Sequence, residues 1–322
     1  MGTKLQGSSI TNRHGAPFTK LTLPFRGRRH SLARREMLWG YAFIAPWILG
    51  LLAFTAGPLL AVFYWSFTDY PILSAPVWVG LENYRRLFLE DDKFVTSIIN
   101  TVIYVILRVP LHLTVAFALA LLLNRAVRGI GVFRTAIYLP SMIPIVAMAV
   151  IWRILLDPRM GYVNYFTGLA GIPPVNWLTN EAMVKPVIIA ISLLHVGIPM
   201  IIFLAALGGV PDQLYEAASL DGAGVWRKLW SVTIPMVTPA ILYNSVIDII
   251  NSFQVFSYAF VMTKGGPNDA SLFYVLYIYR QAFEFFQMGY ASALSAILFV
   301  IILIFTVILV KYSDRWVHYE RI

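Results

Sequence analysis

Residues 289–310 read "GYASALSAILFVIILIFTVILV", a stretch without one charged side chain. An apolar run of about 18 or more residues is a candidate to cross a membrane as a helix. Five other apolar runs precede it, near Trp39–Phe67 (with Gly57-Pro58 inside), Ile98–Leu123, Thr135–Leu156, Lys185–Leu207 and Met236–Met262. Each is long enough to cover about 30 Å of hydrocarbon. Lipid offers no partner to an exposed N–H or C=O, so only helices or closed barrels can span it. The alternating segments of about ten residues that build a barrel do not occur. The expected fold is therefore all-α and integral to the membrane, with six transmembrane helices. Charge agrees with that: Asp, Glu, Lys and Arg make up 13% of the chain, against about 25% in soluble domains.

The few charges are unevenly placed. A net charge of +9 invites a nucleic-acid reading, but in a membrane protein basic residues collect in cytoplasmic loops and set orientation. With the N-terminus inside, the inner segments hold 16 of the 25 Lys and Arg, and the outer loops carry acidic stretches such as "LEDDK" at 89–93. Both termini are thus expected on the cytoplasmic side, with the lipid bilayer and no nucleic acid as partner. Residues 1–38 form a basic tail, "RGRRHSLARRE" at its end, with no short apolar core of a cleavable signal. The six-helix body then runs over 39–311 and a second tail over 312–322. Cysteine is absent, which excludes disulfides and thiolate metal sites. No second His stands at ligand spacing from His195, so no metal is expected.

One segment breaks the pattern. "LYEAASLDGAGVWRKLWSVTIP", Leu214–Pro235, puts acids, bases and glycines between two apolar spans. Val210-Pro211-Asp212 reads as a helix start, with Pro tolerated in the first turn and an acid at the positive end of the dipole. Asp221-Gly222-Ala223-Gly224 breaks that helix. A second short helix is expected over Val225–Ser231, with Pro235 returning the chain to the membrane. Trp226 and Trp230, four apart, share a helical face. The pattern admits either an interfacial loop with tryptophans at the headgroups or a rigid surface for another protein.

The segment closely resembles the cytoplasmic signature of binding-protein-dependent ABC importer permeases: Glu-Ala-Ala, three residues, Gly, nine residues, then Ile-x-Leu-Pro. Glu216, Ala217, Ala218, Gly222 and Pro235 match, while Val232 and Ile234 stand where the family has Ile and Leu. "WVGLENYRRLF" (78–88), "LALLLNRAVRGIGVFRTAIYLP" (119–140), "FQVFSYAFVMTKGGP" (253–267) and "GYASALSAILF" (289–299) are similar to the carbohydrate-uptake, maltose-transporter-like branch. The resemblance implies a MetI-like permease fold and a coupling loop at 208–235. There Glu216, Ala217, Ala218, Asp221, Gly222, Ala223 and Pro235 would dock on an ATPase. It also implies a bacterial or archaeal inner membrane and the partners: a second homologous permease, two ATP-binding cassette subunits, an extracytoplasmic solute-binding protein and a carbohydrate substrate. The chain has no G-x-x-x-x-G-K-[ST] phosphate loop. It is therefore expected to be no enzyme and to hold no cofactor, with ATP and magnesium in the partner ATPase.

Polar groups inside spans are costly, and they usually face a cavity or another helix. Asp248, Asn251, Ser252 and Val255 fall at i, i+3, i+4 and i+7, one face of an unbroken helix. Their donors and acceptors suit sugar hydroxyls, and helix–helix hydrogen bonding is the alternative. His195, with Leu194 and Ile198 on its face, is the next candidate, and the resemblance places that turn at the cavity. Phe256 and Tyr258 could stack on a sugar ring. Arg108 lies about mid-span beside Pro110 and His112. Either it pairs with Asp248 or a partner's acid, or it recognises an anionic substrate, such as a uronate oligosaccharide, through its planar fork. Arg153 reads as snorkelling to the outer surface. The expected function is a permease subunit for a sugar or oligosaccharide, acidic ones such as alginate fragments included. A permease for a sugar phosphate or polyol phosphate such as glycerol phosphate is the alternative substrate class. An ion-coupled secondary transporter is the alternative mechanism, although internal repeats and clear mid-membrane breaks are missing; Pro110, Pro140 and Pro199 are the places where spans could break.

Overall fold

The computed structural model describes residues 29–125 and 128–318; the basic tail up to Arg28, Ala126, Val127 and the last four residues lie outside. Two compact units are distinguished, Met1–Leu59 and Leu60–Ile322. The first unit contains α1 (Arg29–Leu51) and a π turn (Leu52–Ala56), and the chain continues as α2 (Gly57–Trp65). Pro58 has no N–H for an α-helical bond. The Gly57 N–H reaches the Leu52 carbonyl five residues back, so a wider turn absorbs the proline instead of breaking the helix.

The larger unit opens with a small antiparallel pair, β1 (Thr68–Asp69) and β2 (Val77–Trp78), and the surface helix α3 (Glu82–Leu89). The second span is α4 (Asp92–Leu123), thirty-two residues long. Asp91 starts it by accepting from the Lys93 and Phe94 N–H groups at 3.0 and 3.1 Å, the capping role expected of Asp. Pro110 does not break it. The third span is α5 (Ile130–Tyr138), a 3-10 turn (Leu139–Met142) and α6 (Ile145–Leu155), bent by 93° where Pro144 precedes α6. After α7 (Tyr162–Leu169), the fourth span is α8 (Glu181–Ser192), a 3-10 turn (Leu193–His195) and α9 (Gly197–Gly208), bent by 49°. Of the three prolines at which the sequence admits a break, Pro140 lies in the 3-10 turn of the bent third span and Pro199 in the first turn of α9 just past the bend of the fourth, whereas Pro110 leaves α4 whole. The two breaks meet. Gly197 donates its N–H to Ser141 Oγ at 2.9 Å, and a Cβ on Gly197 would lie 2.9 Å from Tyr138 Cα.

The polar segment begins with α10 (Asp212–Leu220), ended by Gly222 at φ +76°. The N–H groups of Gly222 and Ala223 return to the Ser219 and Ala218 carbonyls, a left-handed stop that glycine adopts without strain. The second half corrects the sequence reading. α11 (Val225–Lys228) is not a separate short helix: it passes through a π turn (Leu229–Thr233) into α12 (Ile234–Phe253). That π turn accommodates Pro235, so the run Val225–Phe253 is continuous. Beyond it come a π turn (Ala259–Thr263), α13 (Tyr274–Tyr279), a further π turn (Arg280–Glu284) and the last span, α14 (Met288–Ser313). Among the described residues four helices are long and apolar enough to cross a membrane, and six if each bent pair is one span.

Packing divides α4 along its length. Its N-terminal half (Phe94, Tyr104) joins a core with α8, α13 and α14 through Ile188, Tyr274 and Leu294. Its C-terminal half (Ala116, Ala120, Leu123) joins a second core with α9 through Met200, Phe203 and Leu207. Small alanines let α9 approach closely there. Arg108 and His112 are buried polar residues on the stretch between the two cores.

Candidate functional site

Tyr104, Arg108 and His112 recur every four residues and so share one face of α4. Arg108 Nη1 donates to Asp248 Oδ1 at 2.5 Å and to Ser252 Oγ at 2.7 Å, and its Nε donates to Ser192 Oγ at 3.3 Å. His112 Nδ1 lies 3.1 Å from the Asp248 carboxylate. A carboxylate only accepts, so this nitrogen carries the proton. The Ser252 and Ser192 hydroxyls pass their own protons to the carbonyls of Asp248 and Ile189, which leaves lone pairs for the guanidinium. The network thus ties α4, α8 and α12 at one level. The side chains of Arg108 and Asp248 are only 10% and 9% exposed. Two charges can rest there because each neutralises the other and hydrogen bonds complete both.

The network forms part of the wall of a cavity of about 470 Å³. Asp248, Asn251, Val255, His195, Ile198 and Arg108, all singled out from sequence, line it. Ser252 does not: it sits behind the wall as an acceptor for Arg108. Val255 also departs from expectation, because α12 ends at Phe253 and Val255 reaches the cavity from the turn beyond. His195 is in the 3-10 turn at the break of the fourth span, its Nδ1 3.1 Å from the Tyr258 hydroxyl. Leu194, read on the same face as His195, is outside the lining because the helix breaks there. Phe256 stacks on Phe260 at 5.0 Å between ring centroids and borders the cavity beside Tyr258. Arg153 is exposed and donates to the Val261 carbonyl at 3.3 Å.

Sequence reasoning passed over Tyr104, His112 and Asn244, which also line the cavity. The signal was present as spacing. His112 and Tyr104 stand four residues either side of Arg108, and Asn244 stands four before Asp248. A buried polar residue on a helix draws attention to its i±4 neighbours.

The segment 208–235 is a second candidate surface. Leu220, Val225, Trp226 and Trp230 are exposed, an apolar group at the tip and along one helix. α10 is tied to its neighbour at two points, Tyr215 Oη to Thr233 Oγ1 at 3.0 Å and Lys228 Nζ to Ser219 Oγ at 2.6 Å. Glu216, Ala217, Asp221 and Gly222 are exposed and Ala218 and Ala223 half-buried, whereas Pro235 lies twelve residues past Ala223, half-buried at the start of α12.

The chain matches, over residues 91–319, the family described as "binding-protein-dependent transport system inner membrane component". It is 41% identical over 291 residues to the probable ABC transporter permease protein YesP of Bacillus subtilis (strain 168), covering 89% of this chain and 94% of that one. It is 33% identical over 282 residues to the arabinooligosaccharides transport system permease protein AraP of the same organism, covering 86% and 88%. Crystal structures of a bacterial ABC transporter that imports the acidic polysaccharide alginate contain a similar chain, with TM-score 0.78, 26% identity and coverage of 89% and 98%. One of them is in complex with an alginate pentasaccharide-bound periplasmic protein. A helical membrane chain with a polar layer at mid-span, this protein belongs to the family of inner membrane components of binding-protein-dependent transport systems.

Proposed function

We propose that the chain is one permease half of an ATP-driven, binding-protein-dependent importer of sugars or oligosaccharides, and that the cavity is its share of the solute path. The observation that carries this is the charge-neutral polar layer on a cavity wall where two spans are broken. A volume of about 470 Å³ falls within the roughly 300–1,000 Å³ of small-molecule sites. Asn244, Asn251 and Tyr258 offer neutral donors and acceptors, and Phe256 an aromatic face, which together suit hydroxyl-rich rings. The arabinooligosaccharide and alginate relatives support the same class.

The remaining parts follow from family membership and chemistry. A second permease would complete the path, and a solute-binding protein would deliver substrate on the outer side. Two ATPase subunits would hold ATP and magnesium, since this chain has no phosphate loop. The α10 hairpin is tied across at two points, one near its tip and one farther back, and would take up the ATPase motion, with both termini on that cytoplasmic side. The broken spans by themselves would also suit an ion-coupled carrier; family membership favours the ATP-driven reading.

An acidic oligosaccharide is supported by the alginate importer's likeness and by Arg108 on the cavity wall. Asp248 already neutralises Arg108, so a uronate, or a phosphorylated sugar or polyol, would have to exchange with Asp248. The test is uptake into proteoliposomes by the assembled complex, with neutral and uronate oligosaccharides presented on the binding protein. ATP-dependent uptake is expected, and Arg108→Gln in the Asp248→Asn background should impair uronates alone if they exchange with Asp248. Equal effects on both sugars would remove the acidic reading, and transport by the isolated chain without ATP would remove the proposal.

A further inference from the structure

The segment between the third and fourth spans plays no part in the proposed path, yet it is built with care. From Met160 to Asn180 there is no Asp, Glu, Lys or Arg, between Arg159 on one side and Glu181 on the other. Asn164 of α7 is buried at its centre. Its Nδ2 donates to the carbonyls of Pro158 and Val175, and its Oδ1 accepts from the Val175 N–H and from Trp177 Nε1 at 2.7 Å. Asp157 anchors the entry by accepting from the N–H groups of Arg159 and Met160, both at 2.9 Å. Val163, Trp177 and Leu178 pack against the core that contains the ends of α6 and α8. With one side locked down, the other presents Tyr162, Tyr165, Phe166 and Leu169; Phe166 is 64% and Leu169 71% exposed.

Two observations decide what covers this face. The first is the contrast in charge on the same end of the molecule. Around α3 and the start of α4, Glu82, Arg85, Glu90 and Lys93 are exposed and in part paired, a surface fit for a water-soluble partner steered by charge. The segment 160–180 has nothing to steer one. The second is continuity with the lipid-facing side of the third span: Ile154, in the last turn of α6, is largely exposed, and α7 begins a few residues later. Tyrosine is enriched at the headgroup level, and phenylalanine and leucine are side chains that interfacial helices bury in the lipid.

We infer that α7 and its flanks form an interfacial anchor, lying in the outer headgroup region with Tyr162, Tyr165, Phe166 and Leu169 in the lipid. The occupant of the face is the bilayer. The anchor would hold the outer ends of both broken spans at a constant depth, since α7 is joined to α6 by the Asp157 turn and to α8 through the Asn164–Trp177 bond.

The chain has no cysteine, so nitroxide labels at Phe166→Cys and Leu169→Cys report from known places in the assembled transporter in proteoliposomes. Labels in partner subunits are subtracted with the unsubstituted complex, and Glu90→Cys is the control. At 166 and 169, collisions with oxygen should exceed those with a water-soluble nickel chelate, at a depth of about 5–10 Å in the headgroup–acyl boundary. At 90 the order should reverse. Addition of solute-loaded binding protein should leave 166 and 169 unchanged. Nickel access equal to the control would overturn the inference. So would protection from both reagents, which marks a covering permease, or protection that appears only with the binding protein. If either variant assembles poorly, Tyr165→Cys reads the same face.

Discussion

Removing the Asp248 charge tests whether the polar layer is held together as a compensated pair. In Asp248→Asn the Arg108 guanidinium stays about 10% exposed with no counter-charge, and His112 loses its carboxylate. Two unit charges about 4 Å apart attract by about 4 kcal/mol at an effective dielectric near 20. Breaking a buried pair from one side costs about 3–5 kcal/mol in measured cases, because a buried charge is left behind. At this burial little discount for solvent is due. A loss of that size corresponds to a fall in melting temperature on the order of 10 °C, readable by thermal unfolding of the purified complex in detergent. Arg108→Gln should fall by a similar amount. The double variant Arg108→Gln/Asp248→Asn should recover most of the loss, since two neutral amide side chains can bond each other and Ser252. The decisive quantity is the coupling between the two changes. Strictly additive losses, or single variants within about 1 kcal/mol of the parent, would refute the compensated pair.

Three other outcomes are expected. Gly222→Pro forces φ from +76° to about −65°; ATP hydrolysis by the complex should continue while uptake falls, and normal uptake at normal subunit levels would contradict the lever role. A charge at Ala218 should act alike. Gly197→Val places a Cβ 2.6 Å from Ser141 Oγ, so overpacking should cost about 1–3 kcal/mol, seen as a lower melting temperature; an unchanged value would deny the contact between the two breaks. The Asp157 carboxyl is held below its usual range by the N–H groups of Met160 and Arg159. Its cap is therefore in place above the ordinary carboxylate pKa and is lost as pH falls through the lowered value. Hydrogen exchange at the Met160 amide, corrected for intrinsic rates, should lose protection in that acidic window and not between pH 6 and 8.

Several features were readable because they are local. The stop at Gly222 needs only a glycine after a run of helix formers, and α10 ends there. The charge-poor runs are long enough to span regardless of neighbours. The pairing of Arg108 with Asp248 was one of two readings open from composition, since a mid-span guanidinium requires an acid. What failed did so for identifiable reasons. Val255 was put on the face of Asp248 by counting residues through a helix that stops at Phe253. A separate helix over 225–231 was read from Pro235, but the π turn at Leu229–Thr233 lets the helix run through. Pro110, Pro140 and Pro199 carry the same chemistry, yet α4 continues through the first while the third and fourth spans bend beside the other two.

The amino-acid sequence by itself determined that this chain lives in a membrane, which stretches are long and apolar enough to cross it, and where the polar hairpin after α9 bends. Those follow from the cost of putting charge and unpaired backbone in lipid, a cost each segment meets alone. Tertiary structure decided that Arg108, His112, Asp248, Ser252 and Ser192 form one network, that Ser252 supports the wall while Asn251 faces the cavity, and that the two broken spans touch at Gly197. These depend on how α4, α8, α9 and α12 pack, and the buried ion pair chooses its partner by the approach of helices whose charged residues stand 140 apart in the chain.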